Sequence, residues 1–299
     1  MTDPAPRPSA AGPLGERLFV LLQHALPQHP LSRFVHGLTR LPAGPLTRVA
    51  VAAFIRAYGV DMQEAEQADL SGYSTFNAFF TRALRPAARP ADPRPEALLA
   101  PADALISQIG RLDQGELVQA KGHTFSVADL LGGDADLAAP FADGAFATLY
   151  LAPRDYHRVH MPLDGRLTAA IHVPGRLFSV NAITAARVPR LYARNERLVC
   201  LFDSAVGPLA VVLVGAIFVG GIETVCHGPV TPPRGRRART LRMPEPAPRL
   251  ARGAELGRFA MGSTVILLLP GDAVAWLPER GPGTRVRVGE ALGLVRPQG

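Results

Sequence analysis

Three places in the chain hold residue types able to do chemistry. The densest is Tyr150-Leu-Ala-Pro-Arg-Asp-Tyr-His157-Arg-Val-His160-Met-Pro162, where two histidines stand three apart among Arg154, Asp155 and Arg158. Imidazole titrates near neutrality, so general acid–base work suits the pair. Histidines at this spacing can also share a metal, but no third ligand follows at a recognisable distance and no metal site is expected. The second place is Gly262-Ser263-Thr264, set directly before the apolar run 265–269. The Gly-x-Ser-x-Gly elbow of hydrolases is absent, because Met261 and Val265 fill the two glycine positions. A serine hydroxyl can instead attack the carbonyl of the residue before it. Glycine at that position brings no Cβ to block the approach and tolerates unusual backbone angles. A histidine backed by an aspartate would activate the hydroxyl. The third place is Asp103, in a turn opened by Pro101. Taken singly, each has a plain structural reading as a turn residue or a satisfied histidine.

Composition narrows the chemistry. The 299 residues are 47% hydrophobic and carry a formal charge of +7, which excludes a disordered charged tail and allows one or two domains with a real core. Cys200 and Cys226 are too few for a disulfide framework or a zinc site of their own. Lys121 is the only lysine, so chemistry that needs a lysine Schiff base has one candidate, and no pyridoxal-phosphate pattern surrounds it.

The elements that must position these residues fall into two textures. Residues 1–12 read as a disordered lead-in without a signal peptide. From 14 to 58, apolar stripes at helical spacing (Leu18, Phe19, Leu21, Leu22, Leu26, then Phe34, Val35, Leu38, then 49–57) are interrupted by a break at Pro27–Pro30 and flanked by Arg17, Arg33, Arg40, Arg48 and Arg56. Such faces suit interfacial helices on anionic lipid, and equally helices packed on their own domain. The uncharged run 204–222 is long enough to span a bilayer, but its glycines, Pro208 and β-branched residues predict two buried strands and a turn. A short helix is expected after the capping position in Ser74-Thr-Phe-Asn77, and another over 127–131 capped by Ser126. Residues 85–95 read as a linker. Beyond 98, short apolar runs (105–109, 117–120, 147–151, 166–173, 198–202, 209–219, 264–269) alternate with Gly, Pro and Asp turns. That pattern predicts a mostly antiparallel β domain with minor helix. Pro101-Ala-Asp103-Ala-Leu-Ile106 echoes Pro162-Leu-Asp164-Gly-Arg-Leu167, compatible with a duplicated β unit or with two ordinary turns. The basic segment 232–252, with Arg234, Arg236, Arg237, Arg239 and Arg242, lacks aromatics to stack bases, so a solvated loop is expected rather than a nucleic-acid surface.

Read together, the 150–162 cluster, Leu177-Phe-Ser-Val-Asn181, Phe202-Asp203, Glu223-Thr224-Val225 and Gly262-Ser263-Thr264 resemble the phosphatidylserine decarboxylases. Thr75-Phe-Asn-Ala-Phe-Phe-Thr-Arg82 and Gln119-Ala-Lys-Gly-His123 fit the same family. The likeness runs from about residue 15 to the C-terminus and is nearest to the short, prokaryotic, membrane-associated type. It implies an α+β protein: a mostly antiparallel β catalytic domain, 71–299, behind an N-terminal helical membrane-associating region, 13–70. It implies a proenzyme that cuts itself between Gly262 and Ser263 into a large chain, 1–262, and a small chain, 263–299, headed by a pyruvoyl group made from Ser263. The self-cleavage triad falls on Asp103, His160 and Ser263, with His157 serving protonation in the decarboxylation step. The implied substrate is phosphatidylserine, converted to phosphatidylethanolamine and CO₂. The implied setting is the cytoplasmic side of the cell membrane, as a peripheral homodimer on an anionic surface, with no nucleic acid. A pyruvoyl carbonyl is an electron sink that needs no lysine, which agrees with the composition.

Two departures stand out. Met261 replaces the common Leu, and Ala104 replaces the glycine of the Pro-x-Asp-Gly turn, which would cost roughly 1 kcal/mol if that position needs a positive φ. Two rivals remain at the level of sequence. One is a serine hydrolase or lipase using Ser263, His160 and Asp103 directly. The other is a non-catalytic lipid-binding β module, since 283–293 resembles a carrier-domain hairpin, although no lysine is present there to hold a carrier group.

Overall fold

Proline and glycine set the limits of the N-terminal helices. The computed structural model describes residues 12–218, 221–231 and 237–296, so the expected disordered lead-in and Arg234 and Arg236 of the basic segment lie outside the described residues. Helix α1 spans Pro13–Ala25 and α2 spans Gln28–Thr39, with Pro27 as the α2 N-cap. Pro30 sits in the first turn of α2, where no intrahelical N–H is needed, so the break expected over 27–30 shrinks to the Leu26–Pro27 step. Helix α3, Pro45–Tyr58, starts on a proline and stops at Gly59, which takes a left-handed conformation and donates its N–H to the Ile55 carbonyl at 2.8 Å.

Helices α1 and α2 turn polar residues inward, whereas α3 packs Val51, Phe54 and Ile55 on the Phe79–Phe80 cluster. The buried side of α1 and α2 is polar: Gln23, Gln28 and Ser32 are each about 5% exposed or less. Gln23 Oε1 accepts from Ser179 N, Gln28 Oε1 accepts from Leu177 N, Ser32 Oγ accepts from Phe218 N, and Glu16 pairs with Arg187. The outward side is apolar: Leu14, Leu18, Leu21, Leu22, Phe34, Leu38, Leu46 and Val49 are all more than half exposed. Arg17, Arg33, Arg48 and Arg56 are exposed beside them. No helix among the described residues is long and apolar enough to cross a membrane.

A short helix, α4 (Phe76–Phe80), joins this region to the rest. Its cap is Thr75, whose Oγ1 accepts from Ala78 N, rather than Ser74. Phe79 and Phe80 bury against Val51, Val60 and Tyr73, so one apolar cluster draws on both sides of residue 70. The helix expected near 127 is also present, Val127–Leu130 with Ser126 as its cap.

The β region is a duplication. In the first module Ala97–Leu99 pairs with Ala291–Val295, which also pairs with Val274–Trp276. Ala104–Arg111 lies between Arg285–Val286 and Ala145–Leu151, and the latter pairs with Ser263–Leu269. The second module repeats this arrangement. Arg158–His160 pairs with Glu255–Phe259, which also pairs with Ile222–Thr224. Gly165–Val173 lies between Arg249–Leu250 and Arg197–Ser204, and the latter pairs with Gly207–Val214. Even the register matches: Leu98 opposes Gly293 as Val159 opposes Gly257. The two modules meet where Ser263–Leu269 pairs with Gly207–Val214, forming one continuous antiparallel sheet. All seven residues of Ser263–Leu269 are buried there. The uncharged run 204–222 thus supplies one full strand, Gly207–Val214, and the first residue of the Ile222–Thr224 strand.

The echo of the two Pro-x-Asp turns is part of this duplication. Leu99 N donates to Pro162 O and His160 N donates to Pro101 O, so the turns lie side by side. Asp103 Oδ1 accepts from Val288 N, and Asp164 Oδ1 accepts from Arg252 N. Ala104 opens a strand with no positive φ, so the feared strain is absent. Its counterpart Gly165 is required by packing, because a Cβ there would come within 3.0 Å of Phe202 Cβ.

Candidate active site

Ser263 is the first residue of the central strand and opposes Leu151. The second module, from Arg158 to Phe259, is inserted between these two residues. The equivalent strands of that module are joined by a tight hairpin in which Ser204 opposes Gly207. The 262–263 bond therefore lies where the inserted module rejoins the first. Gly262 has φ +22°, and a Cβ built on it would meet nothing within 4 Å, so conformation rather than space calls for glycine here. Ser263 is fully buried and its Oγ has no hydrogen-bond partner; Thr264 Oγ1 shares that state. A buried unsatisfied hydroxyl costs free energy, and Thr148 Oγ1 is in the same state. Met261, just before the pair, packs on the Phe79–Phe80 cluster.

His157 and His160 leave a turn braced at Asp155. Asp155 Oδ2 accepts from Ala152 N at 2.8 Å, and Oδ1 binds Arg285. His157 is wholly buried with its ring centroid 4.2 Å from that of Phe80. Its Nδ1 lies 2.7 Å from the Asp155 carbonyl, which assigns the proton to Nδ1 and leaves Nε2 as a buried lone pair with no partner. Burial pushes the pKa of His157 down to about 3, so the ring is neutral at pH 7. His160 donates from Nδ1 to the Gly253 carbonyl at 2.8 Å, and Nε2 accepts from the Tyr156 hydroxyl at 3.2 Å. Burial lowers its pKa, opposed by the Gly253 bond and by the charges of Glu255 and Asp103. Burial raises Tyr156 to about 12, so its hydroxyl stays a donor.

Asp103 is 7% exposed and receives three hydrogen bonds from Arg89, at 2.6, 2.9 and 3.1 Å, besides the one from Val288 N. Arg89 in turn binds Glu64 at 2.7 Å. Asp103, Tyr156 and Arg89 line a cavity of about 370 Å³ between the end of α3 and the β modules. The structure thus brings His157, His160 and Tyr156 together on one turn and holds Asp103 beside it. It does not hydrogen-bond Asp103, His160 and Ser263 to one another in the uncut chain. Among the described residues no three His, Cys, Asp or Glu side chains are grouped to hold a metal ion.

Comparison with known proteins decides which chemistry this arrangement serves. A sequence model of phosphatidylserine decarboxylase matches residues 76–294, and a second model, PSD, matches 18–59. The chain belongs to the phosphatidylserine decarboxylase family. It is 54% identical over 281 residues to the phosphatidylserine decarboxylase proenzyme of Ectopseudomonas mendocina, covering 93% of this chain and 98% of that protein. It is 55% identical over 284 residues to the proenzyme of Pseudomonas aeruginosa, covering 94% and 98%, and 54% identical over 280 residues to that of Azotobacter vinelandii, covering 93% and 98%. The family match spans both the helices and the two β modules.

Three residues at this site escaped the sequence reading. Tyr156 lies inside the quoted motif but had no evident partner. Gly253, whose carbonyl orients His160, belongs to Gly253-Ala-Glu-Leu-Gly257, which repeats as Gly289-Glu-Ala-Leu-Gly293; that second echo would have located it. Arg89 sits in a stretch that reads as a linker, and nothing local marks it.

Proposed function

We propose that the chain is a self-processing decarboxylase that converts phosphatidylserine to phosphatidylethanolamine and CO₂ through a pyruvoyl group made from Ser263. Ser263 Oγ, sealed in the sheet without a partner directly after Gly262, carries the reading. A hydroxyl so placed is shut off from outside substrates but adjacent to the Gly262 carbonyl, which disfavours a hydrolase acting on bound esters. The residues fit the group: glycine precedes the serine, the serine side chain is uncommitted, and Lys121 lies elsewhere, in the 116–126 hairpin.

In maturation His160 is the base. The Gly253 carbonyl fixes its tautomer and leaves the lone pair on Nε2. Asp103 supports the protonated ring through space. The Ser263 alkoxide attacks the Gly262 carbonyl, and the peptide bond is exchanged for an ester with release of the Ser263 amine. Loss of the Ser263 Cα proton expels the Gly262 carboxylate, and one water releases ammonia and leaves the pyruvoyl carbonyl at the head of 263–299. That carbonyl supplies an electron sink for the Cα of the substrate when CO₂ departs. His157 offers a neutral ring whose Nε2 lone pair takes up one proton from water and passes that same proton to Cα, returning to its neutral state. Phe80 packs on the wholly buried His157, and Tyr156 on the half-buried His160.

The outward apolar faces of α1–α3, rimmed by arginine, fit a peripheral seat on an anionic membrane surface at the cytoplasmic side. A homodimer, implied by the family resemblance, belongs to the same proposal, and sedimentation in detergent reads it. The main experiment is a denaturing gel and intact mass of the purified protein with a CO₂-release assay on phosphatidylserine vesicles. Two chains split after Gly262 and CO₂ release are expected. A wild type that stays uncut yet decarboxylates the lipid would sink the mechanism.

A further inference from the structure

Arg82 is an anomaly among the buried cations. It follows α4 directly, and the whole residue is 6% exposed. Its Nε is enclosed with no acceptor, and among the described residues its guanidinium forms no hydrogen bond or ion pair with the protein. The guanidinium carbon lies 5.3 Å from the centre of the Phe79 ring. Arg197 shows what a structural buried arginine looks like in the same molecule. At 2% exposure, its guanidinium reaches the carbonyls of Leu130, Ala193, Asn195 and Asp129. A guanidinium withdrawn from water without such partners destabilises the fold, so its counterpart comes from outside the chain.

Among the described residues none of the acids lining the cavity forms an ion pair with Arg82, and Asp61 accepts from Gln63 N. Glu64 is taken by Arg89 and Arg287, Asp103 by Arg89 and Val288 N, Asp155 by Arg285 and Ala152 N, and Glu290 by Arg280. Gly59 and Asp61, just past α3, line the same cavity, and Tyr156 lines it near the histidines. The exposed apolar residues Leu46, Val49 and Tyr58 lie on α3, the helix that ends beside it. Arg82 and Tyr156 line the one cavity, and the Tyr156 hydroxyl reaches His160 Nε2 at 3.2 Å.

We propose that Arg82 seats the phosphodiester of the phospholipid head group, a specificity contact that rests on the decarboxylase reading above. The phosphodiester is favoured over the serine carboxylate because it is present in both substrate and product, whereas a guanidinium clamped on the carboxylate would hold back the group that must leave. The seat also fixes how far the reacting Cα can travel from the cavity wall toward the histidines.

The experiment uses the self-cleaved enzyme in detergent micelles, with inhibition of CO₂ release by two soluble probes. Both probes carry a primary amine, and they differ in their anion: glycerophosphoethanolamine has the phosphodiester and free serine the carboxylate. Arg82→Met is expected to weaken inhibition by glycerophosphoethanolamine by roughly tenfold or more and to leave serine unchanged, with Arg82→Lys between the two. Met should also raise Tm, because it removes an uncompensated buried charge. A loss confined to serine would assign Arg82 to the carboxylate and overturn the proposal. No change for either probe, or a variant that fails to self-cleave with a lowered Tm, would also overturn it, since Arg82 would then be structural. Failure of the decarboxylase reading itself looks different: the wild type then stays uncut or releases no CO₂, whatever stands at position 82.

Discussion

The two Pro-x-Asp turns share a backbone and differ in everything attached to it. Asp103 and Asp164 each open a strand, and each accepts the N–H of a residue just before a left-handed glycine, Gly289 or Gly253. Asp164 stops there and stands exposed. Asp103 is buried, clamped by Arg89, and lies within electrostatic reach of His160. The residue four before the aspartate is Leu99 in the first module and His160 in the second, so each module contributes a part that the other lacks. The duplication therefore built two equal frames, and the site arose where they stopped being equal. The shared hydrogen bond to a backbone N–H belongs to the frame, and its loss should show as stability in both copies. The unshared contacts belong to chemistry.

That division can be broken by experiment. The largest effect is expected at the junction: Ser263→Ala should stay a single chain on a denaturing gel, with no CO₂ released. His160→Ala should slow self-cleavage by roughly 10²–10⁴-fold in a pulse-chase assay, whereas His157→Ala should still split and lose turnover. If both histidine variants lose both steps, the separate roles assigned to them collapse. The paired test comes next. Asp103→Asn should slow cleavage about tenfold or more, while Asp164→Asn, which keeps an acceptor oxygen, should cleave at the wild-type rate and lose less than about 1 kcal/mol in urea melts. Equal slowing in the two would mean that Asp103 serves only as a turn residue. The smallest effect concerns pH. His160 must be neutral to accept the serine proton, and burial holds its pKa below the usual histidine value, so the cleavage rate should be level from neutral pH upward and fall only on the acid side of the ordinary histidine range. Tyr156, raised to about 12, should add no alkaline limb below that value, and Tyr156→Phe should change the rate only a few-fold. A cleavage rate still climbing tenfold per pH unit above 7 would exclude His160 as the base.

The strands were legible because alternation and turn residues report on neighbours one or two positions away. The runs at 105–109, 147–151 and 198–202 all lie inside observed strands. The inside-out helices were half legible. The apolar stripes and arginines were plain, but Gln23, Gln28 and Ser32 look like surface residues until the loop amides they cap are brought beside them. The duplication shows as two short echoes, at the Pro-x-Asp turns and at 253–257 and 289–293, because the first module is split around the second and its halves lie far apart in the chain. Arg89 and Val288 meet Asp103 from sites 14 and 185 residues away, a proximity that no local pattern records.

The position of Ser263–Leu269 carries one more consequence. That strand is held on both sides, by Ala145–Leu151 and by Gly207–Val214, and the strands Val274–Trp276, Arg285–Val286 and Ala291–Val295 complete the first module. While the chain is whole, its pieces find each other as parts of one polymer, at no cost in concentration. On the proposed cut after Gly262, the same contacts would join two separate molecules, and rebuilding them from the unfolded state would become a bimolecular search for the middle of a finished sheet. The uncut chain would then be the form that writes the structure easily, and a two-chain form would inherit it. Its persistence would be measured as a lifetime rather than as an equilibrium.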